Sequence, residues 1–257
     1  MTPVLAFDIE TVPDVAGLRL LHEIDPRVPD RDVAEFAFRE RRARSGNDFL
    51  PLHLQRVIAI ACSLREGETF RCWSLGDPDS GESDLIQRFF AGIDKYTPQL
   101  VSWNGGGFDL PVLHYRSLIH GICAPRYWDT GDDDKDFRHN NYINRYHARH
   151  TDLMDVLSMY QPRATAPLDD ISRLLGFPGK LGMDGSKVWD AYQAGEIRQI
   201  RDYCETDTVN TYLVFQRFQM LRGACQPERY REEVELVRST LSRYDAPHWR
   251  EFLGRLK

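Results

Sequence analysis

The stretch Gln99-Leu100-Val101-Ser102-Trp103-Asn104-Gly105-Gly106-Gly107-Phe108-Asp109-Leu110-Pro111-Val112-Leu113 changes its hydrophobic period part-way along. Residues 99–104 read as a short strand, and three glycines then break it. From Phe108 to His120 the apolar positions Leu110, Val112, Leu113, Leu118 and Ile119 follow a helical pattern that stops at Gly121. Strand, glycine loop and helix in that order make an α/β crossover unit, because a parallel neighbour strand is reached only through such a connection.

Working outward, Val4-Leu5-Ala6-Phe7-Asp8-Ile9-Glu10-Thr11-Val12 is apolar-rich and bounded by Pro3 and Pro13, which reads as another strand. Residues 56–64 and 69–75 are two β-rich runs separated by Arg65-Glu66-Gly67-Glu68, a hairpin signal. Leu85, Ile86, Phe89, Phe90 and Ile93 predict a helix over 83–96. Residues 14–55 read as irregular apart from a helical stretch near 32–44, with Asp30 or Asp32 as its cap. Residues 122–150 are polar and read as a loop or insertion. Beyond them the chain is helical in character over 152–160, 168–175, 186–194, 196–222 and 227–241. One α/β domain over residues 1–225, carrying a helical extension over 226–257 packed on it, is the economical organisation.

The chain has 257 residues, is 42% hydrophobic and has no apolar run long enough to span a bilayer, so a water-soluble core is expected. The N-terminus has no basic segment before an apolar one, and no export signal is expected. Five scattered cysteines without C-x-x-C spacing fit reduced thiols in a cytoplasm better than a disulfide framework or a zinc site. A net charge of -6 argues against gripping duplex DNA by bulk charge and leaves room for a local basic groove.

Three acidic motifs fall at element ends. Asp8 and Glu10, two apart on a strand, project to one face and need a cation between them. In Asn104-x-x-x-Phe108-Asp109 the glycines allow close backbone approach to a ligand, and Asp109 stands where strand gives way to helix. Tyr203 and Asp207, four apart on a helix, stack on one face. Composition predicts D-x-E about 1.4 times and Y-x-x-x-D about 1.1 times in such a chain, but N-x-x-x-F-D only about 0.03 times. The middle motif and the order of the three therefore carry the weight.

On Phe7-Asp8-Ile9-Glu10-Thr11, Asn104-x-x-x-Phe108-Asp109 and Tyr203-x-x-x-Asp207 the chain resembles the 3′-5′ exonuclease domain of family B DNA polymerases, among the ribonuclease H-like DEDD exonucleases of the tyrosine subtype. The resemblance covers about residues 3–215 and is nearest to stand-alone, polymerase-B-like exonucleases of bacteria. It implies a mixed five-stranded sheet with helices on both sides, the first strand at its centre and a site at the sheet's end. It also implies two divalent cations, Mg²⁺ or Mn²⁺, held by Asp8, Glu10, Asp109 and Asp207. Tyr203 would orient the attacking water, and Thr11, Asn104 and Phe108 would touch the terminal nucleotide through backbone, amide and stacking contacts. With only about 30 residues after Cys225, proofreading within this chain is not expected. The function implied is removal of mononucleotides from the 3′ ends of single-stranded or frayed DNA; the same chemistry on RNA and a catalytically idle nucleic-acid-binding module are the alternatives.

Other conspicuous residues have plainer readings. The run Asp132, Asp133, Asp134 and Asp136 reads as a solvated loop. His139, His147 and His150 lack zinc spacing. Asp152 reads as a helix cap, Cys204 as a helix residue, and Lys180 and Lys187 first as surface charges and second as phosphate contacts.

Overall fold

Strand β1 (Val4–Pro13) lies at the centre of a five-stranded sheet in the computed structural model, which describes residues 2–257. On one side it pairs antiparallel with β2 (Gln55–Glu66), and β2 with β3 (Thr69–Ser74). On the other it runs parallel to β4 (Gln99–Ser102), and β4 to β5 (His150–Asp152), giving the order β3-β2-β1-β4-β5. The helices in chain order are α1 (Val15–His22), α2 (Asp30–Ser45), α3 (Glu82–Tyr96), α4 (Asp109–His120), α5 (Pro125–Trp128), α6 (Leu153–Leu157), α7 (Leu168–Leu174), α8 (Val188–Gln193), α9 (Ile197–Leu221), α10 (Pro227–Leu241) and α11 (Pro247–Arg255). This is the α/β, ribonuclease H-like sheet flanked by helices that the three motifs imply.

The alternation of β1 assigns its acids to a face. Successive strand residues point to opposite sides of a sheet. Leu5, Phe7 and Ile9 enter one core cluster with Leu85, Phe89 and Ile93 of α3 and Leu110 and Leu113 of α4. Ala6 points the other way, into a cluster with Val209, Tyr212 and Leu213 of α9, and Val12 joins Tyr203 and Cys204 of the same helix. Asp8 and Glu10 are in phase with Ala6 and Val12, so the fold turns both carboxylates toward α9.

The C-terminal helices are tied to the sheet by charge as well as by apolar contact. Val237, Leu241, Trp249 and Phe252 of α10 and α11 share the cluster that contains Ala6. Arg65 of β2 makes a bidentate pair with Glu233 of α10, both bonds 2.8 Å, and the Tyr212 hydroxyl donates to the same carboxylate at 2.7 Å. Both partners are buried, so removing Glu233 would leave the Arg65 guanidinium an unpaired interior charge, at a cost of about 3–5 kcal/mol. His248 of α11 sits between Glu205 (3.2 Å) and Asp202 (3.4 Å) of α9, whose hydrogen bonds and charges outweigh its burial and push the imidazole up to about 9.

Several local expectations need correcting. Residues 14–55 hold two helices, not one. Asp14 caps α1 by accepting from the Gly17 N–H at 3.1 Å, and α2 begins after Pro29 with no side-chain cap, Asp30 and Asp32 lying in its first turn. The pair packs around its own small cluster of Leu18, Val33, Ala37, Leu50 and Leu54. Arg116 of α4 anchors it by pairing with Asp14 and with Glu82 of α3. Within residues 122–150, read as a loop or insertion, Pro125–Trp128 forms α5 and His150 opens β5, and beyond residue 241 Pro247–Arg255 forms a further helix, α11.

Candidate active site

Strand lengths create the first part of the site. β4 pairs with β1 only from Val4 to Ala6, so the next residues of β1 have no strand partner on that edge. A buried backbone N–H cannot be left unsatisfied without cost. The Ile9 N–H donates to Asp109 Oδ1 at 3.1 Å, which pins Asp109, 3% exposed, against the strand between Asp8 and Glu10. Asp109 is the first residue of α4 and does not cap it; the capping position is Phe108, without a side-chain bond.

The glycine loop that delivers Asp109 is organised from β5. Asp152, the last residue of that strand, accepts from the Asn104 N–H at 2.9 Å and the Gly106 N–H at 2.8 Å, and also from Met154 and Asp155 at the start of α6. It is the helix cap expected of it and a clamp on the loop as well. Asn104 has φ 66°, a left-handed conformation that asparagine tolerates better than most residues. A Cβ at Gly105 would strike the Ser102 hydroxyl, and one at Gly107 the Asn104 amide. Phe108 is half-buried on the first core cluster, its ring 5.7 Å from that of Phe49, and Thr11 donates its hydroxyl to Gln55 Oε1 at 3.0 Å.

Helix α9 supplies the opposite wall. Asp207 and Tyr203 are 6% and 8% exposed, one turn apart, on the side facing β1. The Cys204 thiol lies 3.3 Å from the Asp8 backbone oxygen and 3.4 Å from Asp8 Oδ2, donating to both. Burial and the Asp8 and Glu10 charges push this thiol well above its ordinary range, so it stays protonated. Lys180 comes from the loop before α8, its ammonium 5.6 Å from the centre of the Tyr203 ring. Its backbone is fixed on both sides: the Lys180 N–H donates to Asp169 at 2.7 Å, and Gly179 exchanges two hydrogen bonds with the buried Asn210 amide of α9. The interior of the site thus contains one cation that no motif spacing announces.

The electrostatics are those of crowded anions. Burial, followed by the Asp109, Glu10 and Asp207 charges, holds Asp8 well above the carboxylate range. Burial, then Asp207 and Asp109, does the same to Glu10, with Lys180 opposing. Asp109 is raised to about 7 by burial, against the pull of its backbone hydrogen bonds. Asp207 is raised to about 6 by burial, against Lys180 and the Tyr203 hydroxyl. The Tyr203 phenol is driven far above 10 by burial and by the Asp207, Glu10 and Asp8 charges. Asp207 Oδ1 is buried with no hydrogen-bond partner, a rare and costly state. An orphaned oxygen, mutual repulsion and an all-carboxylate donor set fit a hard divalent cation. Ligand atoms of Asp8, Glu10 and Cys204 lie within 4.8 Å of one another.

Four acids from β1, the β4–α4 junction and α9 thus face one another, and the comparisons with known proteins bear on what they do. A family model described as "Predicted 3'-5' exonuclease related to the exonuclease domain of PolB" matches residues 47–256. The chain belongs to this family. The matched span contains Asp109, Tyr203 and Asp207 and begins after β1, so Asp8 and Glu10 join the group through the sheet. DNA polymerase 1 of Sulfurisphaera ohwakuensis is 29% identical over 114 residues, which is 44% of this chain and 11% of the polymerase. The chain therefore spans a small fraction of that relative's length. Among the described residues no helix is long and apolar enough to cross a membrane.

Two residues beyond the motifs belong to this site. Asp152 stands out in sequence only as a cap, because its partners at 104 and 106 are nearly fifty residues away. Lys180 follows Phe177-Pro178-Gly179, a turn signal that says nothing about what the next side chain will face. His147 and His150 are spent elsewhere: His147 accepts from the Asn141 N–H, and His150 bonds Ser102 at 2.8 Å.

Proposed function

We propose that the chain is a metal-dependent 3′-5′ exonuclease that shortens single-stranded or frayed DNA from its 3′ end, releasing mononucleotides. The observation that carries this reading is that Asp8, Glu10, Asp109 and Asp207 come close enough to repel one another, with one carboxylate oxygen left unpartnered. These four residues would hold two Mg²⁺ or Mn²⁺ ions. When bound, the ions supply an activated water and neutralise charge on the departing 3′ oxygen.

The chain's own groups do the rest. A phenol pushed far upward stays protonated at neutral pH, so Tyr203 orients a water by hydrogen bonding and does not strip its proton. Lys180 offers positive charge beside Glu10 and Asp207, where a phosphate would carry negative charge. Asp109 has Oδ1 engaged by the Ile9 N–H, so its position is fixed from the strand before any ligand arrives. Phe108 provides the stacking surface for the terminal base, buttressed by Phe49, while Thr11 and Asn104 offer backbone and amide contacts. All five cysteines are unpaired, which supports a cytoplasmic setting.

The test is incubation of 5′-labelled single-stranded DNA with Mg²⁺ or Mn²⁺. A ladder shrinking from the 3′ end is expected, lost with chelator and lost in Asp8→Ala. Activity surviving in Asp8→Ala rejects the ligand assignment. A matched RNA strand degraded faster than the DNA would move the substrate to RNA while leaving the chemistry in place.

A further inference from the structure

We infer that the cleft between α1 and α8 is a binding step for a nucleotide of the single strand lying 5′ of the one being cleaved, with Trp189 and Tyr192 as stacking surfaces and Arg56 as the phosphate contact. This rests on the exonuclease reading and adds to it a second place where substrate is held.

The cleft has a volume of about 290 Å³, and its lining includes Asp14, Arg19, Asp30, Arg56, Trp189 and Tyr192. That is close to the lower end, about 300 Å³, of cavities that take small organic ligands. Trp189 and Tyr192 are half-buried, one turn apart on α8, with planes 16° from parallel and centroids 6.1 Å apart. The Arg56 guanidinium lies 5.2 Å from the Tyr192 ring centre and donates to its hydroxyl at 2.6 Å. Among the described residues no carboxylate pairs with Arg56. The other charges here already have partners: Arg19 pairs with Asp30 at 2.7 Å, and Asp14 with Arg116. The two arginines and two aspartates of the lining balance one another, and among the described residues Arg56 is the charge of the lining without an ion-pair partner.

Its position relative to the carboxylates is fixed by register and packing. Arg56 stands opposite Val12, two residues beyond Glu10 on β1. At about 3.3 Å per strand residue, Pro13 is roughly 10 Å past Glu10. Val12 packs in one apolar cluster with Tyr203 and Cys204, and Trp189 and Tyr192 pack against that same cluster. Stacked aromatics with an adjacent guanidinium are what sequence-tolerant recognition of a single strand uses, because every base has a π face and every step a phosphate.

The experiment uses the full chain in chelator, so that nothing is cleaved, and follows the fluorescence anisotropy of 5′-fluorescein oligothymidylates of three and nine nucleotides. In Trp189→Leu, which keeps the apolar contact and removes the stacking surface, nonamer affinity should fall about ten-fold, within the range expected for one base stack, while trimer affinity changes less than about two-fold. Trp189→Phe should restore most of the loss. In Arg56→Gln the salt dependence of log affinity for the nonamer should become shallower by about 0.7. Arg56→Gln leaves the apolar cluster intact and decides the question alone should Trp189→Leu fail to fold. Equal weakening of trimer and nonamer, or an unchanged salt slope in Arg56→Gln, overturns the cleft as a binding step. A wild-type chain that degrades DNA but binds the nonamer no better than the trimer overturns this inference alone. One that neither binds nor degrades DNA overturns the exonuclease reading with it.

Discussion

Taking away a carboxylate of the site should make the metal-free protein more stable. Asp207 is the best choice because its Oδ1 has no hydrogen bond to lose. Its pKa rises from 3.8 to about 6 on folding, which corresponds to about 3 kcal/mol against the ionised folded form. A folded-state pKa above the unfolded one means that the folded chain holds the proton longer, so stability falls as pH rises from near 4 to near 6 and stays reduced above that. Asp109, raised to about 7, extends the decline toward neutrality. In Asp207→Asn, thermal unfolding in chelator at pH 8 should therefore occur about 6–12 °C higher than in wild type, taking ~2–4 °C per kcal/mol for a chain of this size. At pH 4 the difference should nearly vanish. Added Mg²⁺ or Mn²⁺ should raise the wild-type midpoint and leave that of Asp207→Asn nearly unmoved. A variant less stable than wild type at pH 8 in chelator, or a wild-type midpoint that does not fall between pH 4 and 7, would refute the picture of crowded anions.

Two further outcomes can be measured directly. Tyr203→Phe should lower kcat and leave KM for a short oligonucleotide nearly unchanged, since the hydroxyl orients water and the ring supports packing; a large rise in KM would make it a binding residue. Asp152→Ala strips the acceptor from two loop and two helix N–H groups and should cost about 3 kcal/mol in denaturant unfolding, with activity falling because Asp109 loses its support. A loss below about 1 kcal/mol would show that the glycine loop holds its shape without it.

Some of this is legible in the residues alone. The alternation through Leu5, Phe7 and Ile9 places Asp8 and Glu10 together, and in the structure they face α9 as that period requires. The Asn104-to-Asp109 spacing is rare enough by composition to mark a site, and its aspartate does meet β1. Strand β5 is invisible to such reading because three residues, all of them polar, show no period; it is a strand only because β4 pairs with it. Helix α1 is hidden for a related reason: eight residues give a weak pattern, and the Arg116 pair that secures its Asp14 cap is a tertiary fact. Lys180 reaches its place through Asn210 and Asp169, contacts that bring together residues 11 to 31 positions apart. Local propensity describes elements well, but it does not report which loop side chain will be folded inward.

The acids come from residues 8, 10, 109 and 207, and the last of them lies on a helix that packs on a sheet already closed by earlier strands. While the polypeptide emerges from the ribosome, amino end first at about 5–20 residues per second, it carries an incomplete set until Asp207 has been synthesised. Whatever the four carboxylates hold together can be held only after α9 has been made and has folded back onto the sheet.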